Sequence, residues 1–175
     1  MIDQATGEAL LRLTVRVAVA CYLWRTILQV GTRFRRVSRV QFVVWTTGCL
    51  FYLLHVGLAF TFVHAWSHQA ALEHTAAETA RITEIRRGEG LWVNYLFTIL
   101  WLADVARLGR AVMLDQTTHR TTDLFVAAFF GFIFFNATVV FGPPAYRWIA
   151  VPACAAIVFA WYRSRWTSHR NDQSA

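Results

Sequence analysis

Apolar residues fall along the chain in five blocks, separated by stretches where polar and charged residues gather. The blocks span 10–30, 41–66, 91–108, 124–141 and 148–162. A helix needs about 20 predominantly apolar residues to cross the hydrocarbon core of a bilayer. The second block, QFVVWTTGCLFYLLHVGLAFTFVHAW, meets that length with no Asp, Glu or Arg and is the clearest span. The first, LLRLTVRVAVACYLWRTILQV, carries Arg12, Arg16 and Arg25, leaving only Val17 to Trp24 free of charge. It reads as a weak span. Its three arginines do not share one helical face, which argues against an amphipathic helix lying on the surface. Asp3 and Glu8 ahead of it, a short apolar run and the lack of a convincing cleavage site argue against a signal peptide.

The stretch 67–88 lies between the second and third blocks and holds no Gly or Pro before Gly88. It is rich in Ala, Glu and Arg, which favour helix. A helical extension is expected here, continuing from the second span or bending along the surface, and ending at Gly88-Glu89-Gly90. The third block contains Asn94 and Asp104. The polar loop behind it ends in residues suited to cap the next helix. Gly142-Pro143-Pro144 breaks the chain between blocks four and five, which should form a hairpin, with a mild kink at Pro152. The pattern predicts an all-α integral membrane protein, a single domain over 1–175 built as a bundle of about five transmembrane helices.

Composition agrees with this. The chain of 175 residues is 57% apolar and 15% charged, against roughly 45–50% and 25% in soluble domains. The formal net charge is +7, and every basic residue is Arg. These arginines flank apolar blocks, which is a topology signal and speaks against nucleic-acid binding. Arg33, Arg35, Arg36 and Arg39, then Arg107, Arg110 and Arg120, then Arg163, Arg165 and Arg170 fall on one side of five spans. The positive-inside bias makes that side cytoplasmic, with the N-terminus outside and the C-terminus inside a bacterial cytoplasmic membrane. Trp66, Trp92 and Trp148 would mark the outer interface; Trp24, Trp45 and Trp161 would mark the inner one. Cys21, Cys49 and Cys154 each lie within an apolar block, far apart, and read as small buried hydrophobes.

Four of the six histidines, His55, His64, His68 and His74, cluster near the end of the second block. His55 falls near the bilayer midplane, where an ionisable group is costly and a functional candidate. A neutral imidazole hydrogen-bonded to a neighbouring helix is the plainer account. On a continuous helix His64 and His68, spaced i, i+4, would share one face about 6 Å apart along the axis and could share a transition metal. Glu73, Glu78 or His74 could join if the helix bends near the surface. A haem would need His55 or His64 together with a ligand from another chain or a second copy, because residues four apart on one helix cannot approach an iron from opposite faces. The opposing reading is a set of polar side chains where a helix leaves the membrane.

Other polar positions suggest local pairing. Asp104 and Arg107 are placed for an intrahelical ion pair. Arg12 and Arg16 should snorkel or meet Glu73, Glu78 or an anionic headgroup. Asn136 should bond to a neighbouring helix, and Ala127, Ala128 and Gly131 offer close helix approach.

The zincin motif, the nucleophile elbow, the P-loop and the dinucleotide fingerprint are absent from the sequence. His64-x-x-x-His68 resembles the first histidine box of membrane fatty-acid desaturases and hydroxylases. The further boxes with paired histidines that those families carry are missing, which argues against a di-iron enzyme. The expectation is a non-catalytic subunit or scaffold of a membrane complex, in contact with lipid and with other subunits or a second copy, and able to hold a metal or haem at its histidines. The alternatives are a metal-dependent membrane oxidoreductase using His64 and His68, and a small transporter.

Overall fold

The computed structural model describes residues 3–31 and 37–142 and, beyond them, residues 148, 152, 155–159 and 162. The described part is helical and contains no strand. Five α-helices follow one another: α1 (Gln4–Gly31), α2 (Arg39–Phe62), α3 (His68–Thr83), α4 (Gly90–Met113) and α5 (Arg120–Phe135), which runs on into one π-helical turn, Asn136–Val140. Most of the fifth apolar block, with Cys154, Trp161 and the neighbours of Pro152 on which its expected kink depends, lies outside the described residues, as do the loop arginines 33, 35 and 36 and the tail arginines.

Helix ends follow local chemistry more closely than hydropathy. α1 begins six residues before its apolar block because the Asp3 carboxylate accepts a hydrogen bond from the Thr6 amide, 2.7 Å away. α2 starts with a capping box. The Gln41 amide donates to Ser38 Oγ at 3.1 Å, and the Ser38 amide donates back to Gln41 Oε1 at 3.0 Å. α2 stops at Phe62, four residues short of the predicted end. Ala65 and Trp66 then take left-handed conformations, φ 48° and 58°, and Ser67 caps a separate helix, α3. Of the two forms expected for the extension, continuation of the span or a bend, the chain takes the second, as two helices with a sharp joint. α3 ends at left-handed Glu84, φ 62°, before the glycines predicted to end it. α5 has His119 at its cap position with no side-chain bond, so the expected cap from the preceding polar residues is not made.

Three helical stretches are long and apolar enough to cross a membrane: Gln4–Val30, Arg39–Phe62 and Arg120–Val140. α4 is 24 residues long but is not among them; it carries Asn94, Asp104, Arg107 and Arg110. It packs against α2, α3 and α5.

The core is aromatic. Trp45 of α2 lies between Trp101 of α4, 4.7 Å between ring centres, and Phe130 of α5, at 5.0 Å. Phe97, Phe134, Tyr52 and Tyr22 complete the cluster. Where lipid surrounds helices there is little hydrophobic drive between them, and dispersion and shape must hold them. Large flat rings offset at 4.5–7 Å supply that attraction. Trp45 is fully buried among the other helices, whereas Trp24, Trp66 and Trp92 are exposed.

Small residues let the rings in. A Cβ on Gly48 would stand 2.9 Å from Cys21 Cβ and 3.2 Å from the Trp101 ring, so α1, α2 and α4 meet there at backbone distance. At Gly131 the Tyr22 hydroxyl fills the place of a side chain, and it donates to the Ala127 carbonyl at 3.3 Å. Two of the three small residues marked on α5 therefore receive α1. Cys49 is buried, Cys21 is half-buried, and both are free thiols.

Asn136 departs from expectation. Its amide donates to the Phe132 carbonyl of its own helix at 2.7 Å. It stands where the α-helix widens into the π turn, and the side chain bonds the carbonyl four residues back instead of a neighbouring helix.

Candidate functional site

Two places gather polar side chains in otherwise apolar surroundings. The first joins α1, α4 and α5. The Asp104–Arg107 pair expected on α4 is present, with Arg107 Nη2 2.6 Å from Asp104 Oδ1. It is part of a larger network. The same Arg107 Nη2 lies 2.6 Å from Asp123 Oδ1 in the first turn of α5, and the Thr118 hydroxyl donates to Asp123 Oδ2 at 2.5 Å. From α1, Arg25 reaches the other oxygen of Asp104, with Nη2 at 3.5 Å from Oδ2. The Arg25 guanidinium also lies over the Trp45 ring, 4.1 Å from its centre. Arg25, Asp104 and Asp123 are all buried. Two positive and two negative charges cancel, which is the condition under which ionised groups survive in a low-dielectric interior.

The sequence holds the signal for one link of this network, the three-residue spacing of Asp104 and Arg107. Arg25 and Asp123 had no such mark. They lie 79 and 16 positions from their partners, and only the packing of α1 and α5 on α4 brings them in.

The second place is the joint between α2 and α3. His64 and His68 do not share a helical face, because the helix ends before them and the left-handed turn reverses their relation. Two consecutive non-glycine residues in this conformation cost on the order of 1–2 kcal/mol each. His64 instead meets His74 of α3, with ring centres 5.2 Å apart and planes at 65°. Phe60 packs on the other side at 5.5 Å. His64 Nδ1 is buried with no hydrogen-bond partner among the described residues. Burial, and second the neighbouring His74, lower the His64 pKa below its ordinary 6.5, so the imidazole is neutral at pH 7.

The remaining candidates are engaged elsewhere. His68 Nδ1 is 2.9 Å from the Tyr95 hydroxyl on α4, and its ring packs on Trp92 and Tyr95. Glu78 pairs with Arg81 at 3.0 Å, and Glu73 accepts from Gln69 at 2.9 Å. Neither bond involves Arg12, which pairs with Glu8 at 3.6 Å. His55 Nδ1 lies 3.1 Å from the Leu11 carbonyl of α1. A carbonyl only accepts, so Nδ1 bears the hydrogen, and the ring is bonded to a neighbouring helix as the plainer account required. His55 faces α1 while His64 faces α3, so the two are not brought together. Among the described residues no three His, Cys, Asp or Glu side chains come together as a metal-ligand set.

Comparison of the chain with protein-family models, with curated proteins and with solved structures returns no match.

Proposed function

We propose that the chain is a multi-pass membrane protein acting as a non-catalytic subunit or scaffold of a membrane assembly. One observation carries this reading. Among the described residues, the buried charges Arg25, Asp104 and Asp123 and the half-buried Arg107 form a neutral set bonded across three helices. Groups held this way fasten helices and are poorly placed to exchange protons with a substrate.

The faces turned away from the core fit the same reading. Val93, Leu96, Ile99 and Leu102 on α4, and Phe125, Phe132 and Phe135 on α5, are exposed large apolar residues suited to lipid or to an apolar partner helix. The full count of five spans is part of the proposal. α4 is about 36 Å long at 1.5 Å per residue, enough for a bilayer core of about 30 Å. Two of its three charged groups, Asp104 and Arg107, pair within the bundle.

The test is extraction of the untagged chain from its own membrane in polymer-bounded lipid discs, followed by native mass measurement. A stoichiometric assembly larger than the 20.0 kDa chain is expected. A chain that emerges alone overturns the subunit reading.

A further inference from the structure

We infer that His64 and His74 form a binding site for a divalent first-row transition ion of the zinc class, at the joint between α2 and α3. The inference goes beyond the subunit reading and does not depend on it.

The geometry has three parts. The first is spacing. Imidazole nitrogens bind zinc at about 2.0–2.1 Å, and the ring centre lies about 1.1 Å further out. Two such rings on one tetrahedral ion then have centres about 5 Å apart. His64 and His74 stand at 5.2 Å with planes steeply inclined. Edge-to-face ring packing produces similar distances, so spacing does not suffice.

The second part is the unpaired donor. Among the described residues His64 Nδ1 is buried without a hydrogen-bond partner, and a buried polar atom in that state is costly. A metal ion, for which a neutral imidazole nitrogen is a preferred ligand, would satisfy it. The third is access. His74 is exposed and His64 is half-buried, so an ion arriving from solvent meets His74 first and must displace the packing over His64 Nδ1 to join the two; the coordination positions the protein leaves open can take water or a donor from a partner.

The left-handed residues Ala65 and Trp66 lie directly after His64 and set its direction toward α3. A continuous helix would instead have matched it with His68, which bonds to Tyr95. A bound ion would therefore tie the end of α2 to the middle turn of α3.

The experiment uses the full, untagged chain, purified in detergent, stripped with a chelator and titrated with Zn²⁺ by calorimetry. One equivalent should bind. His64→Gln and His74→Gln should each weaken binding by more than about tenfold, while His68→Gln should leave it unchanged. X-ray absorption on the zinc-loaded native chain supplies a readout that needs no variant, and should show two imidazole nitrogens at about 2.0–2.1 Å. Absence of binding, affinity indifferent to His64→Gln or His74→Gln, equal loss in His68→Gln, or a zinc spectrum without two imidazoles would each overturn the site. Because the readout is the ion, failure here says nothing about the native mass of the assembly.

Discussion

Asp104 accepts from two arginines at once, one on its own helix and one from α1. Its removal is therefore felt on both sides. Asp104→Asn keeps the shape but leaves Arg25, buried against Trp45, without the carboxylate it pairs with. Breaking a buried pair from one side typically costs about 3–5 kcal/mol. The double replacement Arg25→Leu with Asp104→Leu removes the charge along with its partner and should recover most of that loss. Reversible unfolding in mixed micelles measures both. A cost below about 1 kcal/mol for Asp104→Asn would mean that water reaches Arg25 and that the network does not fasten the helices. The same residues show how much of the site was readable in sequence. Asp104 with Arg107 follows from a helical spacing of three, and is present. Arg25 carried no comparable mark: its partner lies 79 positions away, and nothing local in the sequence points to it.

At the scale of the element, the joints hold most of the departures from expectation. The apolar blocks located α2, α4 and the α5 stretch to within a few residues at most ends, since lipid-facing and core-facing positions are both apolar. Their ends were set by caps and by backbone conformation. Ser38-x-x-Gln41 was a legible capping box. The left-handed turn at Ala65-Trp66 was not, because neither residue type favours that conformation. Glu84 is a similar case, an acidic residue at a helix terminus where glycine is the usual choice. Glu84→Gly should relieve the strain and, after the added freedom of the unfolded chain is subtracted, stabilise α3 by about 0.5–1 kcal/mol. Hydrogen exchange of the α3 amides should slow by a few-fold. Faster exchange would show that the Glu84 side chain holds the turn by contacts that outweigh its backbone strain.

At the scale of the whole molecule, the expectation of an all-helical protein with membrane-length apolar helices holds for the described residues. Its packing was less legible. Trp45 illustrates why. A tryptophan six residues inside a helix can sit at an interface or in the core, and the choice depends on which helices surround it. The arginine distribution bears on orientation, and it makes a definite prediction. A phosphatase fused after Ala175 should be inactive and a cytoplasmic fluorescent reporter at the same position active, since the C-terminal arginines should remain inside. Phosphatase activity at that position would place the C-terminus outside, and either the span count or the positive-inside reading would then be wrong.

The link between Arg25 and Asp104 joins two positions 79 residues apart, and so has a consequence in time. At synthesis rates of about 5–20 residues per second, Asp104 leaves the ribosome about 4–16 s after Arg25. During that interval α1 holds an arginine inside an apolar helix without its counter-charge. Such a residue disfavours insertion by about 2.5–3.5 kcal/mol at the centre of a membrane helix and by less toward its end, where Arg25 lies. The first helix thus has reason to linger at the insertion machinery until the fourth arrives, and the order of birth along the chain becomes part of how the bundle closes.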